Sequence, residues 1–167
     1  MSVQEHKARA PASVSCFVLT VSDTRTEETD TGGQAIRMLL EMDGHTISGH
    51  AIVRDDPFAV TSAVTGSLTD ARTQVIITTG GTGITSRDGT FEAIDALLDK
   101  RLTGFGELFR MLSYQHIGAA AMMSRATAGR AQGKAIFVLP GSPDGVRLAM
   151  TKLVLPELGH VVQQLRR

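Results

Sequence analysis

Eleven residues, Thr78-Thr79-Gly80-Gly81-Thr82-Gly83-Ile84-Thr85-Ser86-Arg87-Asp88, follow the apolar run Val75-Ile76-Ile77 and place three glycines where a buried strand must end. Glycine reaches φ > 0 without the Cβ penalty, and successive turn N–H groups form a concave anion site. A strand opening into Thr79-Gly80-Gly81-Thr82-Gly83 therefore suits a phosphate-bearing small molecule. Asp55 and Asp88 add two carboxylates. Such a pair repels a polyphosphate unless Mg²⁺ lies between, as in many phosphoryl and nucleotidyl transfers. Asp56, directly before Pro57, is explained as a helix cap, whereas Asp55 has no such explanation. For Asp88 an exposed turn ahead of Thr90 is an equally good reading. Gly141-Ser142-Pro143 reads both as a Ser N-cap with Pro at N1 and as a helix N-terminus that receives an anion, and the two are compatible. The glycine loop is neither Gly-x-x-x-x-Gly-Lys-Ser/Thr nor Gly-x-Gly-x-x-Gly, so the best-known ATP and NAD motifs are absent.

These residues need a scaffold. Phe17-Val18-Leu19-Thr20-Val21, Val75 to Thr79 and Ala135-Ile136-Phe137-Val138-Leu139 are continuous apolar or β-branched runs of strand length. Such runs mark central parallel strands covered on both faces. Thr46 to Val53 alternates, with Ile47, Ala51 and Val53 on one face, and predicts a strand nearer a sheet edge. Helical spacing follows Asp30-Thr31-Gly32-Gly33 at Ile36, Leu39 and Leu40, and follows Thr90 at Phe91, Ile94, Leu97 and Leu98. Asp56-Pro57 opens another helix, Leu108, Phe109, Leu112 and Ile117 mark a further one, and Pro156 is expected to start a last helix ending at Arg166-Arg167. Strand and helix alternate, so the fold class is α/β: a doubly wound, mostly parallel sheet. In such sheets ligands collect beyond the carboxyl ends of the strands. That rim would gather Ser22-Asp23, Asp30 to Gly33, Asp55, Gly80 to Asp88 and Gly141 to Pro143.

The 167 residues fit one domain, 13–167, behind a frayed tail at 1–12 that is poor in apolar side chains. Seventeen basic and seventeen acidic residues cancel, and no basic run interleaves with aromatics, so nucleic acid is not an expected partner. No apolar run approaches the roughly 20 residues of a membrane span, and the first residues lack the apolar centre of an export signal. The expected compartment is the cytoplasm. Five scattered histidines lack ligand spacing, so no structural metal is expected. Cys16, the one cysteine, reads as a buried strand residue rather than a nucleophile.

Taken together, Thr20-Val21-Ser22-Asp23, Asp30-Thr31-Gly32, Thr79 to Gly83 with Arg87-Asp88, Gly104-Phe105-Gly106-Glu107, Ser124-Arg125-Ala126 and Leu139-Pro140-Gly141-Ser142-Pro143 resemble the MoaB/Mog family of molybdenum cofactor biosynthesis, nearer its MoaB branch. The resemblance runs from about Val14 to about His160. It implies a three-layer α/β/α domain that binds molybdopterin and, in active members, adenylylates it with ATP and Mg²⁺. The family's two functional aspartates fall on Asp55 and Asp88, expected to be catalytic and to hold Mg²⁺. Ser22, Asp23, Thr79, Gly80, Gly81, Thr82, Gly83, Gly141, Ser142 and Pro143 would then hold the pterin and its phosphate. Arg87 would either neutralise developing charge or form a surface ion pair. Other proteins of the pathway would be partners, and a homotrimer or homohexamer is implied, with the apolar stretch Phe105 to Met123 supplying contacts. The alternative is a non-catalytic molybdopterin carrier that keeps the pterin site. Arg54 before Asp55 departs from the proline expected in many relatives but leaves the carboxylate in place.

Overall fold

The computed structural model describes residues 2–166. Met1 of the expected tail, Arg167 of the expected terminal pair and the side chain of His6 lie outside the described residues. The chain runs through α1 (Val3–Ala8), β1 (Ser15–Val21), α2 (Thr31–Met42), β2 (Thr46–Val53), α3 (Pro57–Thr69), β3 (Val75–Thr79), α4 (Thr90–Asp95) and β4 (Lys100–Arg101). It continues through α5 (Thr103–Ile117), a 3₁₀ segment (Gly118–Met123), β5 (Thr127–Ala131), β6 (Lys134–Leu139), α6 (Pro143–Ala149), a π segment (Met150–Val154) and α7 (Leu155–Leu165). The sheet order is β2-β1-β3-β6-β5-β4. The first four strands are parallel, and β5 and β4 are antiparallel additions at one edge.

Alternation along the central strands builds two cores. Cys16, Val18, Val75, Ile77, Ala135 and Phe137 face α2, α5 and the α6–α7 rod, with Ile36, Phe109, Val146 and Leu158 on the helix side. Leu19, Val21, Ile76, Ile136 and Val138 face α3 and α4, with Val60, Val64 and Ile94 opposite. Helices thus cover both faces of the sheet, the doubly wound α/β/α arrangement that the alternation of elements demanded. The three apolar runs are the central strands, and Thr46–Val53 is the edge.

Several local expectations need correction. The tail is not frayed throughout: Ser2 and Glu5 form a reciprocal cap, Ser2 N donating to Glu5 Oε2 at 2.6 Å and Glu5 N to Ser2 Oγ at 3.3 Å. That capping box starts α1, and Lys7 pairs with Glu157 of α7. In β2 a register shift pairs Cys16 with Ile47 but Phe17 with Gly49. The extra residue, Ser48, reverses the faces, so Ile47 packs into one core and Ala51 and Val53 into the other. Helix α4 ends at Asp95, leaving Leu97 and Leu98 beyond it. Pro156 does stand in the first turn of α7, but α7 is not a separate helix. It lies within a continuous rod, where the π turn lets Leu155 N reach back to Met150 O and relieves the crowding a proline ring causes in a regular α turn. β5 and β4 escaped sequence reading because Thr127-Ala-Gly-Arg-Ala131 has no apolar run. A tight turn with Gln132 at φ 49° and Gly133 at φ 78° folds β5 onto β6.

Candidate functional site

The turn after β3 is built by two neighbouring strands. Gly80 (φ 94°) lies so near β1 that a Cβ would stand 2.2 Å from the Val21 carbonyl oxygen, and its N–H donates to Leu139 O of β6 at 3.4 Å. Thr79 Oγ1 donates to Pro140 O at 2.8 Å, tying the ends of β3 and β6 together. Ser22, Thr79, Gly80, Gly81 and Gly141 border a cavity of about 230 Å³, with Asp30 and Gly32 at the start of α2. Asp30 caps α2, accepting from Gly33 N at 2.9 Å and from Thr20 Oγ1 at 2.7 Å. The ends of β1, β3 and β6 and the start of α2 therefore meet at the carboxyl rim of the sheet.

The carboxylates stand against the same turn, Asp55 beside Gly81 and Asp88 beside Gly83. Asp55 is buried; its Oδ1 accepts from Gly89 N at 3.2 Å, and its own N–H donates to Asp23 Oδ1 at 3.2 Å. Burial raises its pKa, and the like charges of Asp88 and Asp23 add to the rise. Asp88 is held in the opposite sense. Its Oδ2 accepts from Thr85 Oγ1 at 2.6 Å and Thr85 N at 2.9 Å, which lowers its pKa. Asp23 is lowered by the hydrogen bond from Arg87, at 2.7 Å, so Arg87 forms an ion pair, and one that links the loops after β1 and β3. Asp56 caps α3 through Ala59 N at 2.8 Å and takes no part in the site.

Gly141 to Pro143 divide between two places. Gly141 borders the small cavity, whereas Ser142 caps α6, accepting from Gly145 N at 3.2 Å ahead of Pro143. Ser142 also borders a second cavity of about 750 Å³ between α5 and α6, beside Phe109, Ser113, His116 and Arg147. Thr82 and Gly83 give their carbonyls to Arg125, whose Nε donates to Thr82 O at 3.1 Å and Nη2 to Gly83 O. Arg125 also pairs with Glu92 and stacks over Phe91, 5.2 Å from the ring centroid. Cys16 is fully buried and its thiol is pushed up to about 12, so it is no nucleophile.

Sequence reading missed Arg125 and Thr90 as site residues. Arg125 stood inside a recognised motif, and a cation within an otherwise small, weakly polar stretch was the available signal. Thr90 read only as a helix start. It is fully buried, its N–H donates to Gly81 O at 3.1 Å, and its Oγ1 has no partner. A Cβ on Gly81 (φ 68°) would stand 2.0 Å from Thr90 Oγ1 and 2.9 Å from Asp55 Oδ2, so both oxygens close on the same face of the glycine. Among the described residues no group of three or more His, Cys, Asp or Glu side chains could hold a metal. Mg²⁺ is commonly held by one or two carboxylates with water and substrate phosphate rather than by an all-protein cage. A buried carboxylate beside a partnerless hydroxyl, over a glycine, fits that cation.

Glycine turns, helix starts and aspartates gather at the carboxyl rim of a doubly wound sheet, the place where α/β domains of this class collect their ligands. The pattern of the family described as a probable molybdopterin binding domain matches residues 17–160. Molybdenum cofactor biosynthesis protein B of Bacillus subtilis is 53% identical over 168 residues, covering 100% of this chain and 99% of its own length. Its Bacillus cereus counterpart is 52% identical with the same coverage. Among solved structures, a molybdenum cofactor biosynthesis protein B superposes with a TM-score of 0.92 at 51% identity, covering 95% of this chain and 99% of that one. The tungsten cofactor synthesizing protein MoaB from Pyrococcus furiosus superposes with a TM-score of 0.84 at 37% identity, covering 95% and 100%. The chain belongs to the MoaB/Mog family, and its role lies in molybdenum cofactor biosynthesis. No helix of the described residues is long and apolar enough to cross a membrane.

Proposed function

We propose that the chain binds molybdopterin and adenylylates it with Mg-ATP, releasing pyrophosphate. The observation that carries this reading is the Gly80–Gly81 turn at the carboxyl rim, which borders a 230 Å³ cavity and has buried Asp55 packed against it. An oxygen of the pterin's terminal phosphate attacks the α-phosphorus of ATP, and the bond to the pyrophosphate oxygen breaks as pyrophosphate leaves. Ser22, Asp23, Thr79, the Gly80 to Gly83 turn and Gly141 to Pro143 hold the pterin and its phosphate. Asp55 and Asp88 would hold Mg²⁺, which would supply charge neutralisation for the phosphates. The chain's own work is placement, and no covalent enzyme intermediate is needed.

Incubation with molybdopterin, Mg²⁺ and ATP labelled at the α-phosphate tests the proposal. Label on the pterin with wild type, and at least a hundredfold less with Asp55→Asn and with Asp88→Asn, is the expected result. Tight pterin binding without label transfer would replace it with the carrier reading. Exposed Leu108, Met111, Tyr114 and Ile117 on α5, with Met122 and Met123 after it, support a homotrimer or homohexamer, which light scattering after size exclusion would measure.

A further inference from the structure

We infer that the Thr90 hydroxyl is a cation-positioning group that works with Asp55, so that the protein-side contacts of the bound divalent ion come from both of the oxygens that close over Gly81. The inference rests on the Mg-dependent reading above but concerns a residue that reading does not use.

Three observations converge. Thr90 has no exposed surface, yet its Oγ1 makes no hydrogen bond. An isolated buried hydroxyl destabilises the protein that carries it, and valine has nearly the same shape without that penalty. Asp55 is the buried carboxylate whose pairing is incomplete: Oδ1 accepts from Gly89 N, while Oδ2 faces Gly81. Asp88, by contrast, uses its Oδ2 twice within its own turn. The third observation is Gly81 itself, whose absent side chain lets Asp55 Oδ2 and Thr90 Oγ1 close on one backbone position from two different elements. A carboxylate and a hydroxyl are both hard oxygen donors, the set that Mg²⁺ or Mn²⁺ accepts directly or through a bound water. A hydroxyl that finds its partner only when the ion is present explains why it has none in the protein alone.

The test measures binding rather than turnover. Mn²⁺ replaces Mg²⁺ as the probe, with a non-hydrolysable α,β-methylene analogue of ATP, and free Mn²⁺ is followed by electron paramagnetic resonance for wild type, Thr90→Val and Thr90→Ser. Thermal melting is recorded for each without ligands. The expected result is a Thr90→Val protein that melts at or above the wild-type temperature but binds Mn²⁺ about tenfold or more weakly, with Thr90→Ser restoring the affinity. A merely structural hydroxyl would lower the melting temperature and leave Mn²⁺ affinity unchanged, and that outcome overturns the inference. So does wild type that binds no Mn²⁺ beside the nucleotide. If wild type binds Mn²⁺ through Thr90 yet transfers no adenylyl group, this inference stands and the adenylyltransferase reading falls.

Discussion

Gly81→Ala probes the site most directly, because the same glycine shapes the turn and leaves room for two functional oxygens. Two costs can be separated. The residue sits at φ 68°, where a Cβ costs about 1–2 kcal/mol. The added carbon would also stand 2.0 Å from Thr90 Oγ1, 2.9 Å from Thr90 Cβ and 2.9 Å from Asp55 Oδ2. Thr90 is fully buried and its N–H is bonded to Gly81 O, so it cannot simply swing away, and forcing such contacts costs about 1–3 kcal/mol more. At roughly 2–4 °C per kcal/mol for a chain of this size, the melting temperature should fall by about 4–20 °C. Gly44→Ala is the matched control: φ is 83° there, and a Cβ would meet nothing within 4 Å. It carries the left-handed cost and the same loss of unfolded-chain freedom, without the collision. Chemical denaturation of the two variants should therefore differ by about 1–3 kcal/mol, and Thr90→Ala should shrink that difference when combined with Gly81→Ala. Equal destabilisation at positions 44 and 81 would refute the claim that Thr90 and Asp55 close over Gly81.

Arg125→Lys should cost about 1–3 kcal/mol in denaturant unfolding, because one ammonium cannot hold Thr82 O, Gly83 O and Glu92 at once; wild-type stability would show that the turn holds without the clamp. Acid sensitivity can be assigned at Asp70, whose hydrogen bonds from the Arg72 side chain lower its pKa to about 2. A carboxyl lowered on folding contributes stability that is complete above its ordinary pKa of about 4 and is lost as pH falls toward 2. Asp70→Asn should therefore flatten the pH dependence of stability between 4 and 2, and an unchanged slope would remove Asp70 as its source.

Strand identity was legible because burial on both faces forces uninterrupted apolar runs, and Val75–Thr79 has no exposed residue. Asp56 was legible as a cap because Asp-Pro is a local signal that needs no distant partner. Local signals were also overlooked: the Ser2 to Glu5 capping box was available to anyone counting three residues on. The bulge at Ser48 was different. Nothing in Thr46 to Val53 announces it, since it is the pairing with β1, where Gly49 fits against Phe17, that reverses the faces.

By itself the sequence determined the four parallel strands and the helices between them, the glycine turn after β3 and the family to which the chain belongs. Each depends on residue type at short range, through φ > 0, capping or apolar periodicity. Tertiary structure alone decided which polar atoms share a space. Arg125 reaches back to Thr82 and Gly83 because β5 folds antiparallel onto β6, and Arg87 reaches Asp23 because β1 and β3 are neighbours. Thr90 lost its hydrogen-bond partner, and Asp55 its solvent, because α4 closes over the Gly81 turn. Contacts among residues tens of positions apart follow from sheet order, and sheet order is settled by the packing of two cores at once rather than by any single stretch of chain.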